Sequence, residues 1–159
     1  MRSSRISLAH WIALLLPAAL LAGALGSQYL GGLFPCEMCR WQRWPHYAAV
    51  VVAGFGFLVA RQRIRVPLVV LAGLLIAVSG LIGVFHAGVE YHWWQGITPC
   101  STTFTAHGGD FMEQLMNAPV IRCDVPQWTL FGISLAGFNA ILSLGGAAMI
   151  FTLLLGGRR

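Results

Sequence analysis

"FPCEMCRWQRWPHY", residues 34–47, decides how this chain is read. Two cysteines stand two residues apart, crowded by aromatics, two arginines and two prolines. In a soluble protein this would be a redox or zinc motif within a globular domain. Here, apolar runs long enough to cross a bilayer lie on both sides of it. The chain of 159 residues is 57% hydrophobic and 9% charged, against about 25% charged in ordinary soluble domains. A hydrocarbon core of about 30 Å takes roughly 20 apolar helical residues, and the runs at about 10–30, 44–60, 66–85 and 129–155 qualify. Buried helices of a soluble protein would need polar faces that these runs lack. No other stretch is large enough for a core of its own. The expectation is one all-α membrane domain over 1–159, a bundle of four transmembrane helices. The start, "MRSSRISLAHWIALLLPAALLAGA", has the basic residues and Ala-x-Ala ending of a secretory signal. Its apolar stretch continues past Ala24, so a retained helix is expected.

Charge sets the expected orientation. All ten basic residues are arginine. Arg2 and Arg5 precede the first run, Arg61, Arg63 and Arg65 link the second to the third, and Arg158 with Arg159 ends the chain. With four spans these sites share one side, which the positive-inside rule makes cytoplasmic. Glu37, Glu90, Asp110, Glu113 and Asp124 all fall in the two opposite loops. The net charge of +5 is thus a topology signal, and nothing else supports a nucleic-acid partner.

The first outer loop is short and the second, about 87–128, is long. Within the second, "DFMEQLMN" opens with Asp110 and has Glu113 three residues on, a capping-box-like helix start. Phe111, Met112, Leu115 and Met116 would share one face, lying on the bilayer surface or against the loop itself. Trp41, Trp44, Trp93, Trp94 and Trp128 cluster at the outer boundary, as an aromatic belt does. Small residues at four-residue spacing (Ala19, Gly23 and Ser27; Ser79 and Gly83) are expected to let helix backbones approach closely.

All four cysteines, Cys36, Cys39, Cys100 and Cys123, fall in the outer loops. That points to a disulfide-permissive compartment, the periplasm of a Gram-negative host. Zinc ribbons pair two close CxxC knuckles, whereas Cys100 and Cys123 are far apart. A Cys100–Cys123 bond would close about two dozen residues and contribute roughly 3 kcal/mol, a structural staple. A Cys36–Cys39 bond gains little from closing so short a loop. Cys39 precedes a helix whose N-terminus is partially positive, near Arg40 and Arg43, and both effects favour the reactive thiolate. Pro45 favours a main helix starting near Trp44, which would leave Cys39 and Arg43 in a separate turn. Arg43 is then either a catalytic cation or an interfacial anchor.

Taken together, these features resemble the DsbB family of disulfide bond formation proteins. The resemblance covers nearly the whole length: four spans, "PCEMC" before the second, "QR" following it, a second cysteine pair in the long loop, and "CDVPQW" leading into the fourth. It implies an inner-membrane enzyme that reoxidises a DsbA-like periplasmic thioredoxin-fold protein and passes electrons to membrane quinone, ubiquinone or menaquinone. By position, Cys100 would be attacked by the partner, with Cys123 its mate. Cys39 would be the thiolate facing the quinone, Cys36 its mate and Arg43 the adjacent cation. His86 and Glu90 are further candidates for the quinone carbonyls, against the reading of a histidine with only a local hydrogen bond. No metal is expected. A vitamin K epoxide reductase-like enzyme shares the spans, the two pairs and the quinone, but its CxxC would stand near a later span. A non-enzymatic tetraspan protein would have inert disulfides.

Overall fold

Alanine and leucine, strong helix formers, fill the first apolar run, which forms α1, Arg2–Tyr29. In this computed structural model, describing residues 2–98 and 121–156, three more helices follow: α2 (Glu37–Leu58), α3 (Gln62–Glu90) and α4 (Leu135–Leu155). Cys100, Asp110, Glu113, the expected loop helix, Arg158 and Arg159 lie outside the described residues. Each helix packs against two neighbours, α1 and α3 both touching α2 and α4, with α1 also meeting α3 across the middle. The core is built from small residues, including Ala9, Ala13, Ala49, Ala53, Ala72 and Ala147, closed by Val69, Ile76 and Ile150. Large apolar side chains such as Leu15, Val51, Phe55, Leu74, Leu81 and Ile141 are exposed on the outside. That inversion suits helices solvated by lipid, where small interfacial residues let backbones approach.

Among the described residues, three helices are long and apolar enough to cross a membrane: α1 from Ser3, α3 and α4. At 22 residues α2 is long enough, but its first half carries Glu37, Arg40, Gln42, Arg43 and His46. It also starts earlier than Pro45 suggests. Cys36 is its N-cap, with Sγ accepting from the Cys39 backbone N–H at 3.2 Å, and Pro45 lies inside the helix. Cys39 and Arg43 are therefore one turn apart on one continuous helix, not in a separate turn. The Trp41 carbonyl, four residues before Pro45, forgoes its helical partner.

The fourth helix starts later than the run at 129. Residues 129–134 form a hairpin, Thr129–Leu130 (β1) antiparallel to Ile133–Ser134 (β2). Its two-residue turn has both φ values positive, Phe131 at 51° and Gly132 at 77°, the type I′ geometry that matches strand twist. Tyr91 fastens it to the end of α3, its hydroxyl donating to the Gly132 carbonyl at 2.8 Å and accepting from Ser134 N–H at 2.9 Å. Ser134 then caps α4, its Oγ accepting from Gly137 N–H at 3.1 Å.

Candidate functional site

The N-cap geometry of α2 positions the first cysteine pair. Cys36 and Cys39 are free thiols with Sγ atoms 2.8 Å apart, longer than the roughly 2.05 Å of a disulfide and within easy reach of one. Cys36 is buried, while Cys39 is part-exposed. Cys36 Sγ–H donates to Cys39 Sγ, and that bond is the first cause that pushes the Cys36 thiol up from its ordinary range; burial adds to it. Cys36 thus keeps its proton and Cys39 receives the hydrogen bond, the assignment a nucleophilic Cys39 requires.

His86 approaches from α3. Gln42 Nε2–H donates to the Met38 carbonyl and to His86 Nδ1, the latter at 2.7 Å. With Nδ1 an acceptor, Nε2 carries the proton of the neutral ring. Nε2 faces Cys36 Sγ at 3.5 Å and Glu90 Oε1 at 3.7 Å. Glu90 in turn accepts a short hydrogen bond from Ser134 Oγ. Cys36, Cys39 and His86 offer donor atoms within 4.8 Å of one another, so the separation of the loop cysteines does not by itself remove a soft-metal site here.

Arg43 extends toward α1, donating to Gln28 Oε1 at 2.5 Å and to the Ala24 carbonyl at 3.0 Å. Cys36, Cys39, Arg43, His86 and Glu90 all line one small cavity of about 50 Å³. A second cavity, about 200 Å³, runs inward between α1, α2 and α4, with Cys39 and Arg43 at one end and mostly apolar walls. The small residues Ala19, Gly23 and Ser27 line this cavity from α1. Mostly apolar walls with a few polar groups are the lining of a small-molecule site.

Cys123 closes the outer side. It is fully buried, in one cluster with Cys36, Met38 and Val89, and it is disulfide-bonded. Thr98 Oγ1 donates to its sulfur at 3.6 Å. The flanking segment is clamped twice. Gln127 donates to the Phe34 carbonyl at 2.7 Å, and Arg122 makes a two-pronged bridge to Asp124 at 2.8 and 2.5 Å. The Arg122 hydrogen bond holds the Asp124 carboxyl below its usual range.

Sequence reasoning missed a polar network that continues inward from His86: Gln42 and His46 on α2, Ser79 on α3, Asn139 and Ser143 on α4. The available signal was their polarity within apolar runs, which marks function in membrane helices.

The family comparison bears on this arrangement. The description "Disulfide bond formation protein DsbB" matches residues 6–153. The chain belongs to the DsbB family. Relatives called Disulfide bond formation protein B include those of Azoarcus sp., 32% identical over 89% of this chain and 87% of the relative, and Acidovorax sp., 30% identical over 89% and 83%. One from Polaromonas sp. is 31% identical over 76% and 74%. No solved structure matches. DsbB membership makes the chain a membrane-bound oxidoreductase of disulfide formation, with the CxxC of α2 inside the matched range.

Proposed function

We propose that this chain is a thiol:quinone oxidoreductase of the bacterial inner membrane that reoxidises a DsbA-like dithiol protein. One observation carries the reading. A free CxxC lies between the buried, disulfide-bonded Cys123 on its outer side and an apolar cavity on its inner side, with Cys39 and Arg43 in the cavity wall. The proposed topology has four spans, α2 joining α1, α3 and α4. Its 22 residues rise about 33 Å, and its polar Gln42 and His46 turn into the bundle while Val51, Phe55 and Leu58 face outward. Both termini are cytoplasmic and the cysteine loops periplasmic.

In this mechanism Cys100 is the mate of Cys123. A partner thiolate attacks Cys100, a mixed disulfide forms, and the partner's second thiol releases it, leaving the partner oxidised and Cys100 and Cys123 reduced. That dithiol then reduces Cys36–Cys39 through a second mixed disulfide, a transfer that the shared packing of Cys123 and Cys36 keeps short. His86 Nε2–H, beside Cys36 Sγ, stabilises negative charge as that sulfur leaves. Cys39 faces the cavity as the thiolate, and Arg43 would hold a quinone oxygen beside it. Quinone, whether ubiquinone or menaquinone, supplies the two-electron oxidising power when bound. Glu90, joined to Ser134 and facing His86, positions the histidine.

The order of transfer is testable with a Cys123→Ser variant and a partner lacking its own resolving cysteine. A mixed disulfide through Cys100 should accumulate on non-reducing gels. Capture of the partner on Cys36 or Cys39, with the loop cysteines uninvolved, would make the loop disulfide a staple only.

A further inference from the structure

The inner cavity has a second polar end. Three residues beyond Arg43 on α2, His46 joins its wall, beside Asn139 from α4. His46 is 3% exposed, and the bonds around its ring are assigned by their hydrogens. Ser79 Oγ–H donates to the Gln42 carbonyl at 2.8 Å, and Ser143 Oγ–H donates to Asn139 Oδ1 at 3.0 Å. The Asn139 amide donates to Gln42 Oε1 at 2.8 Å, which turns its oxygen toward His46. All three neighbours therefore face His46 Nε2 with lone pairs: Asn139 Oδ1 and Ser79 Oγ at 2.9 Å, Ser143 Oγ at 3.3 Å. Nε2 must carry the ring proton, and Nδ1 of the singly protonated imidazole is then an acceptor only. Nδ1 is buried and has no hydrogen-bond partner among the described residues. Buried acceptors are rarely left so without a function.

We infer that His46 Nδ1 accepts a hydrogen bond from the inner hydroxyl of a bound hydroquinone, so that the site favours the reduced acceptor over the oxidised one. The inference rests on the quinone reading above and adds a second contact to it. Arg43 and His46 line the same cavity, and the inference assigns one ring oxygen to each. A quinone carbonyl would meet Nδ1 lone pair to lone pair, whereas a hydroquinone O–H satisfies it. In the overall step the Cys36–Cys39 dithiol forms its S–S bond and releases two electrons and two protons, all taken up by the quinone. His46 neither gains nor loses a proton across the step. Its contribution is to draw the equilibrium toward product by differential binding.

The test is equilibrium binding to the fully oxidised, detergent-solubilised full chain, in which no turnover occurs. Short-tailed ubiquinone and menaquinone, each with its hydroquinone, would be titrated by tryptophan quenching. His46→Gln keeps an amide N–H where Nε2–H sits and removes Nδ1. It should weaken hydroquinone binding about tenfold, one hydrogen bond's worth, and leave quinone binding within about twofold. Independently of any variant, the dimethyl ether of the hydroquinone, which has no O–H to donate, should bind the wild-type chain about tenfold more weakly than the hydroquinone. Equal losses for both redox forms in His46→Gln, or an ether that binds as well as the hydroquinone, would overturn the inference while leaving the quinone site standing. A wild-type chain that binds neither form of either quinone would overturn the quinone reading and this inference together.

Discussion

Arg43 is held by α1 through two of its five N–H donors, at Gln28 and Ala24, which leaves donors to spare on a guanidinium already aimed. Arg43→Ala should therefore lower kcat/KM for quinone by about 10²–10³-fold, the scale of a lost oxyanion donor, while exchange with the thiol partner changes little. Arg43→Lys should restore only part, because an ammonium keeps the charge but cannot satisfy Gln28, Ala24 and a ligand with one planar fork. Steady-state rates with quinone varied, then with the partner varied, separate the two effects; equal losses would make Arg43 an anchor. The closeness of Cys36 to Cys39 was legible in the sequence because it is local, one motif with one spacing. Gln42, His46 and Asn139 were not, since their polarity becomes a network only when α2, α3 and α4 bring them within 3 Å. Pro45 misled for a different reason. Its ring is best tolerated at a helix start, but the N-cap bond at Cys36 and packing along α2 outweigh one missing helical hydrogen bond.

Between elements, the α3–α4 contact holds the network together. A Cβ on Gly83 would stand 3.0 Å from the Ala140 nitrogen and 3.1 Å from the Ala136 carbonyl oxygen, both backbone atoms that cannot swing aside. Gly83→Ala should therefore force the helices apart at a cost of about 1–3 kcal/mol, and it should strain the Asn139–Ser79 bonds one turn inward. Gly26 on α1 has nothing within 4 Å of its would-be Cβ, so Gly26→Ala should be neutral or stabilising by up to about 1 kcal/mol. Chemical unfolding in mixed micelles compares the pair; similar stabilities would argue against close α3–α4 packing as the reason for glycine at 83. Small residues at this spacing thus meet a close neighbour on α3 and line a cavity on α1. Small side chains permit either a close neighbour or a gap, and the choice belongs to the partner helix. The hairpin at 129–134 was likewise hidden, since an apolar run of Thr, Leu, Phe and Ile is as good a strand as a helix until Tyr91 fastens its turn.

Across the whole molecule, Arg5 Nη1–H donates to the Gly156 carbonyl at 2.9 Å, so the start of α1 and the end of α4 lie at one end of the bundle. The clustered arginines made that common end readable from charge alone. If the arginine end is cytoplasmic, as the positive-inside rule gives, an impermeant maleimide applied to reduced, intact spheroplasts should label cysteines from the periplasmic face. Labelling only after the inner face is opened would reverse the orientation. What charge could not reveal is how the inner cavity opens. Ala19 and Gly23 in its α1 wall are small and exposed, so a side entrance from the surrounding lipid would pass between them. An electron acceptor entering there arrives by two-dimensional diffusion, and its effective concentration is its mole fraction among lipids or detergent. Adding micelles at fixed total quinone dilutes it just as adding buffer dilutes a soluble substrate.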